Sequence, residues 1–124
     1  MMKLLIVDDS AMIRHKIEQS LKHPDIIVAG SAGNGQQALQ ECKRLLPDVV
    51  TLDLAMPVMG GVECVEHILR IKPDTLILIV SALADQATAL NAIKKGANGF
   101  LAKPFTVEAL NNSLDELLRS RLTA

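Results

Sequence analysis

The sequence predicts an α/β fold in which a five-stranded parallel sheet is covered by helices on both faces. Five short runs are predicted as strands, and the most continuously apolar of them, residues 48–52 and 76–80, lack the polar alternation of a half-exposed strand, which is typical of strands buried on both faces. Each run is followed along the chain by a segment with helical apolar spacing. Right-handed crossovers between parallel strands leave few other ways to pack such an alternation, so the fold is doubly wound.

The composition indicates one domain with an aliphatic core. We assign residues 1–124 to a single domain, because 124 residues leave no room for a second one, and we expect residues 119–124 to fray. Hydrophobic residues make up 49% of the chain and aromatic residues 2%, so the core must consist of Leu, Ile, Val, Ala and Met. The net charge of −1, without a basic stripe, gives no support to direct binding of nucleic acid.

The cysteines and the start of the chain indicate a reducing compartment. Cys42 and Cys64 both fall in helical apolar patterns, which predicts buried free thiols and not a disulfide. The apolar start is too short for a signal peptide and meets two aspartates at once. No apolar stretch reaches membrane-spanning length. We therefore expect a soluble, cytoplasmic protein.

The first strand and helix are bounded by turn-forming residues. Residues 3–7 form the first apolar run, and Ser10 is placed as the N-cap of the following helix. Pro24 and Asp25 close that helix. Its apolar positions are Ile13, Ile17 and Leu21.

The second strand and helix lead into the third strand. We expect the second strand at residues 26–29 and a second helix that stops at Pro47. Residues 48–52 form the third strand, because the Pro and Gly turn that starts at Pro57 cannot continue it. The apolar positions of the second helix are Ala38, Leu39, Cys42, Leu45 and Leu46.

The third helix ends before Pro73, and residues 76–80 form the fourth strand. Ser81 lies at the C-terminal end of this strand. The third helix is marked by Val62, Val65, Ile68 and Leu69.

The fourth helix, residues 84–95, is rich in Ala and ends before Gly96, which we expect at the C′ position. Its small residues either allow close packing on the sheet or leave the helix thinly anchored and able to shift, and both interpretations stay open. Residues 98–102 form the fifth strand, with Lys103 just past it. The amphipathic last helix is marked by Val107, Leu110, Leu114, Leu117 and Leu118.

Polar side chains follow four of the five predicted strands. They are Asp8 and Asp9, Asp53, Ser81, and Lys103. In a doubly wound sheet, ligands bind beyond the carboxyl ends of the strands, where these side chains are expected to converge. Each of these residues alone could simply be part of a polar loop or a helix cap. The occurrence of all of them at the strand ends favours a functional site.

Three carboxylates in one crevice repel each other unless a cation joins them. Lys103 supplies one positive charge, and Mg²⁺ suits the remaining carboxylate oxygens. An aspartate beside such an ion, with a lysine and a hydroxyl near its free oxygen, is suited to accept a phosphoryl group as a nucleophile. The sequence therefore predicts Asp53 as a phosphoryl acceptor.

The ordered set of motifs resembles the receiver domain of bacterial two-component response regulators over the whole chain. The matching segments are residues 7–10 (VDDS), 52–61 (LDLAMPVMGG), 81–82 (SA) and 103–105 (KPF). The resemblance implies a flavodoxin-like fold with strand order 2-1-3-4-5, a cofactor Mg²⁺ and a stand-alone receiver similar to chemotaxis receivers.

The resemblance also implies roles for the residues around the acceptor. Asp53 carries the phosphoryl group. Asp9, Asp53 and the backbone carbonyl of Ala55 ligate Mg²⁺ directly, and Asp8 acts mostly through a bound water. The role of each is an expectation that follows from its place in the motifs.

Three further residues receive roles from the resemblance. Lys103 pairs with the acyl phosphate, and its bond to Pro104 is expected to be cis. Ser81 donates its hydroxyl to the phosphoryl group once that group is attached. Phe100 falls at an aromatic switch position on the fifth strand, and the alternative is that it only fills core space.

The implied function is that of a phosphorylation-activated response regulator and not of an enzyme, apart from its own phosphoryl transfer and slow autodephosphorylation. A sensor histidine kinase donates the phosphoryl group, and the change reaches the face of the fourth helix, fifth strand and last helix. A flagellar motor switch protein is the downstream partner implied by chemotaxis-type receivers. Two alternatives to this function stay open, namely a phosphorelay intermediate and a receiver that is part of a longer regulator. We expect the protein to be a monomer or a weak dimer that forms on phosphorylation.

Two positions depart from the family pattern. Ala55 and Leu83 occupy sites where relatives often carry polar groups that orient attacking water, and neither side chain offers a donor or acceptor. We expect water access past Leu83 to set the lifetime of the phosphoryl group. Ala55 also argues against a metal-dependent phosphatase, which usually carries a general acid two residues after its nucleophile. The two aspartates after the first strand argue against a mononucleotide binder, because they repel phosphate.

Overall fold

The computed structural model describes residues 1–123 and the side chains of residues 1–120. The strands are β1 (Met2–Val7), β2 (Ile26–Ala32), β3 (Val49–Leu52), β4 (Leu76–Ala82) and β5 (Gly99–Lys103). They pair in parallel in the order β2-β1-β3-β4-β5. The predicted fold class and the strand order implied by the resemblance are both confirmed.

Five α-helices alternate with these strands. They are α1 (Ala11–Ser20), α2 (Gly35–Leu45), α3 (Gly61–Ile71), α4 (Gln86–Lys94) and α5 (Val107–Thr123). The first helix ends before the expected Pro24, with Leu21 as its C-cap. Of the tail expected to fray, residues 119–123 are helical and residue 124 lies outside the described residues.

Strand β2 continues to Ala32, which corrects its expected end at residue 29. The register between β1 and β2 shifts between Leu4 and Leu5, so that Ala29 is passed over as an extra residue. Pairing then resumes and ends with Val7 opposite Ala32. A bulge of this kind lets a strand continue through a segment with a loop-like sequence.

Strands β4 and β5 also extend farther than expected. Ser81 lies opposite Ala102, and Ala82 lies opposite Lys103. Lys103 is therefore the last residue of β5 and not the first residue past it. This pairing fixes the backbone of both Ser81 and Lys103 in the sheet.

The start of the fourth helix differs from the expected one at residue 84. Leu83–Asp85 form a 3₁₀ turn, and α4 begins at Gln86. The C-terminal end agrees with the prediction, because Gly96 has a φ of 121°, which favours glycine.

The strands separate two aliphatic cores. Leu5 and Val7 face the core beneath α2, α3 and α4, and Leu4 and Ile6 face the core beneath α1 and α5. Strand β1 is thus buried on both faces, as its apolar run predicts. No helix among the described residues is long and apolar enough to cross a membrane.

Both cysteines lie in the core beneath α2, α3 and α4. Cys42 and Cys64 are buried free thiols, as predicted. Burial raises the pKa of Cys42 to about 11 and that of Cys64 to about 12. Both thiols therefore stay protonated at neutral pH and act as packing groups.

Candidate functional site

The sheet places two aspartates side by side at its carboxyl edge. Asp8 follows the last residue of β1, and Asp53 follows the last residue of β3. The backbone N–H of Asp8 donates to the Ala32 carbonyl at 3.1 Å, and that of Asp53 donates to the Val7 carbonyl at 3.0 Å. These bonds continue the strand pairing by one residue, so the position of both carboxylates is set by the sheet itself.

Three carboxylates converge at this edge. One carboxylate oxygen from each of Asp8, Asp9 and Asp53 lies within 4.8 Å of the other two. Asp8 and Asp53 are buried, with 1% and 4% of their surface exposed, and Asp9 is exposed. This set of hard oxygen donors, open to solvent on the Asp9 side, fits Mg²⁺.

Lys103 bridges the two buried carboxylates. Its Nζ atom lies 2.8 Å from Asp8 Oδ2 and 3.6 Å from Asp53 Oδ2. The peptide bond between Lys103 and Pro104 is cis, as the resemblance implies. Lys103 thus places one positive charge beside the predicted acceptor.

The surroundings of Asp53 raise the pKa of its carboxyl group above the ordinary value. Burial and the neighbouring Asp8 carboxylate raise the pKa of Asp53. Lys103, the Ser81 hydroxyl and the Ala55 N–H act in the opposite direction and lower it. The net effect is upward, because one ammonium group does not offset both burial and the second carboxylate.

Ser81 is buried and contacts the acceptor directly. Its Oγ atom lies 3.0 Å from Asp53 Oδ1. The same Oγ atom lies 2.9 Å from Oδ2 of Asp85, at the end of the 3₁₀ turn. Sequence reasoning missed Asp85, because the segment that carries it has the composition of a helix.

The turn after β1 holds Asp8 in place. The Ser10 N–H donates to Asp8 Oδ1 at 2.9 Å, and Arg14 donates from its guanidinium to the Asp8 carbonyl at 2.6 Å. The Ser10 hydroxyl oxygen accepts from the Ile13 N–H at 3.3 Å, which confirms Ser10 as the N-cap of α1. Arg14 is a second residue that sequence reasoning missed, since nothing in the apolar pattern of the first helix indicates a contact with the turn before it.

The loop after Asp53 is shaped by its backbone. Val58 has a φ of 74°, and the Met59 N–H donates to the Pro57 carbonyl at 2.8 Å. The Gly61 N–H donates to the Leu54 carbonyl at 3.1 Å, which ties the start of α3 to the end of β3. The loop therefore folds back against the strand that carries the acceptor.

Phe100, Ala55 and Leu83 are the remaining residues that the sequence predicted to have a role. Phe100 is half-buried and packs against the core beneath α2, α3 and α4, which agrees with a packing role. Its role as a switch residue remains a prediction. The N–H of Ala55 lies 3.4 Å from Asp53 Oδ1, and the role of its carbonyl as a metal ligand remains a prediction. Leu83 is 62% exposed, on the 3₁₀ turn that follows β4.

Comparisons with known proteins identify relatives of this chain. The family model of the response regulator receiver domain matches residues 4–115. A chemotaxis protein CheY from Thermotoga maritima is 42% identical over 113 residues, which cover 88% of this chain and 94% of that protein.

Solved receiver structures share the fold. The receiver domain of AraT, a response regulator from Geobacillus stearothermophilus, has a TM-score of 0.91 at 26% identity, with 98% of this chain and 96% of that chain covered. The chemotaxis protein CheY4 of Vibrio cholerae has a TM-score of 0.84 at 32% identity, with 94% of this chain and 98% of that chain covered.

Proposed function

This chain belongs to the family of response regulator receiver domains, and from that membership we propose that phosphorylation of Asp53 is the event that activates it. A receiver of this family is a phosphorylation-activated signalling regulator, which takes its phosphoryl group from a histidine kinase and acts on a downstream target. The observation that carries the assignment to Asp53 is its position between a lysine, a hydroxyl and two further carboxylates at the carboxyl edge of the sheet.

The covalent step forms one bond and breaks one. An oxygen of the Asp53 carboxylate attacks the phosphorus of a phosphohistidine, the phosphorus–nitrogen bond breaks, and the histidine leaves with the electron pair. Burial of Asp53 at the strand end excludes bulk water from the nucleophile, and its fixed backbone keeps the carboxylate in place.

Neighbouring side chains stabilise the transferred group. Lys103 Nζ, which now contacts Asp8 and Asp53, would pair with a phosphoryl oxygen, and Ser81 would donate its hydroxyl to another. Asp8, Asp9, Asp53 and the Ala55 carbonyl would hold Mg²⁺, which supplies positive charge against the phosphoryl oxygens when bound.

The output surface follows from the same assignment. Strand β5 carries both Lys103 and Phe100, so a change at the acceptor reaches the face formed by α4, β5 and α5 through a continuous strand. We place the binding of the downstream partner on this face. The names of two relatives, the chemotaxis proteins CheY and CheY4, support chemotaxis as the pathway. Within that pathway, we propose a flagellar motor switch protein as the target.

Phosphorylation with a small donor tests the assignment. The protein is incubated with acetyl phosphate and Mg²⁺ and then analysed by intact-protein and peptide mass spectrometry. We expect one phosphoryl group on the peptide that contains Asp53, and none with the Asp53→Asn variant or with a chelator in place of Mg²⁺. Labelling of Asp53→Asn equal to that of the wild type would place the acceptor elsewhere.

A further inference from the structure

The Ser81 hydroxyl lies between two carboxylates. Its Oγ atom is 3.0 Å from Asp53 Oδ1 and 2.9 Å from Asp85 Oδ2. A hydroxyl has one proton to donate, and an ionised carboxylate can only accept. Asp53 and Asp85 therefore compete for the same hydrogen bond.

The position of Asp85 in the chain strengthens this observation. Asp85 is the N-cap residue of α4, where an aspartate side chain ordinarily accepts a hydrogen bond from a backbone N–H of the first turn. Here the side chain makes no capping hydrogen bond. Its carboxylate is directed to the Ser81 hydroxyl instead, at the end of a 3₁₀ turn that brings it back toward β4.

We propose that Asp85 is a positioning residue that holds the Ser81 hydroxyl in the unphosphorylated protein and must release it when Asp53 is phosphorylated. The inference rests on the proposed function, in which Ser81 donates to the phosphoryl group. A phosphoryl oxygen on Asp53 gains the Ser81 proton only at the expense of Asp85. Asp85 thereby weakens the phosphorylated state relative to the resting one, and it acts through Ser81.

The effect has a defined sign and size. Replacement of Asp85 by Ala removes the competing acceptor, so a phosphoryl mimic should bind more tightly. A net hydrogen bond to a charged group corresponds to about a tenfold change in affinity. Asp85→Asn keeps an oxygen acceptor of the same shape without the charge, and its effect should be smaller than that of Ala.

Beryllofluoride binding in saturating Mg²⁺, measured by calorimetry, tests the inference. The dissociation constant is compared among the wild type, Asp85→Ala, Ser81→Ala and the double variant. We expect Asp85→Ala to lower it by about tenfold when Ser81 is present, and by much less in the Ser81→Ala background. Gln86→Ala, which removes the exposed neighbouring side chain, is the control and should match the wild type.

The double variant separates the inference from a simple charge effect. An equal gain in both backgrounds would mean that Asp85 acts by its charge alone, and it would overturn the proposal, as would no gain at all. If the wild type binds beryllofluoride and Asp85→Ala does not change the dissociation constant, the phosphoryl-acceptor role of Asp53 still holds. Failure of the wild type to bind beryllofluoride would overturn that role and this inference together.

Discussion

The Cα atom of Leu54 lies 2.6 Å from the point that a Cβ atom would occupy on Gly61. The carbonyl oxygen of Asp53 lies 2.9 Å from the same point. Both obstacles are backbone atoms of the segment that carries the predicted acceptor, so they cannot turn aside as a flexible side chain would. Gly61 therefore allows α3 to start directly against the end of β3.

Substitution of Gly61 by Ala should destabilise the protein and disturb the site. The added methyl group forces the start of α3 away from Asp53, and overpacking of this kind costs about 1–3 kcal/mol. Urea denaturation should show that loss in the free energy of unfolding, together with slower phosphorylation by acetyl phosphate.

Gly60 provides the matched control for Gly61. A Cβ atom on Gly60 would meet no heavy atom within 4 Å, and its φ of −66° suits any residue. Gly60→Ala should therefore change the free energy of unfolding by no more than about 0.5 kcal/mol. Equal losses for the two variants would show that close approach to Leu54 is not the reason for the glycine.

The sequence predicted the site residues that end an apolar run. Asp8, Asp53 and Ser81 each follow or close a strand without polar alternation, and parallel strands must bring their carboxyl ends to one edge. The roles of the residues came from the family motifs, since spacing alone cannot distinguish a phosphoryl acceptor from a metal ligand.

Other features depend on three-dimensional contacts that a pattern does not contain. Gly60 and Gly61 are adjacent and identical in sequence, yet the backbone of Leu54 approaches only the second. Asp85 lies in a segment with helical composition, and the 3₁₀ turn that directs it to Ser81 is a local departure from that helix. Neither distinction can be drawn without the packed structure.

Val58→Gly should stabilise the protein. Val58 is 79% exposed and has a φ of 74° at the centre of a γ-turn, a conformation that strains a β-branched residue. After allowance for the greater chain entropy of glycine, we expect the free energy of unfolding to rise by about 1 kcal/mol. Val107→Gly, at the first residue of α5, should lower it slightly, because glycine relieves no strain at a helical φ. A loss of stability in both variants would contradict the strain at Val58.

Leu83→Glu should shorten the lifetime of the phosphoryl group. The Leu83 side chain lies on the 3₁₀ turn two residues after Ser81, is 62% exposed and cannot orient water. A carboxylate there can accept a hydrogen bond from an attacking water molecule. Release of phosphate from acetyl-phosphate-labelled protein should be severalfold faster than in the wild type, and Leu83→Met should leave the rate unchanged. A rate of phosphate release from Leu83→Glu equal to that of the wild type would show that position 83 does not control the lifetime of the phosphoryl group.

Asp53→Asn should be more stable than the wild type at neutral pH in the absence of divalent cations. The folded-state pKa of Asp53 is raised above its ordinary value of 3.8, mainly by burial and then by Asp8. The stability that this group contributes is therefore fully present below pH 3.8 and is lost as pH rises through the folded-state pKa. Asn carries no charge, so the variant avoids that loss.

The pH dependence of unfolding by urea, measured with a chelator present, distinguishes this cause from a general effect of the substitution. The advantage of Asp53→Asn should be greatest near neutral pH and should shrink as the pH falls toward 3.8. Asp25→Asn, an exposed change just before β2 at the opposite edge of the sheet, should show no such trend. Mg²⁺ should stabilise the wild type more than Asp53→Asn, because a cation that binds the three carboxylates stabilises the folded state that presents them. An advantage that stays constant from acid to neutral pH would show that ionisation of Asp53 does not destabilise the fold.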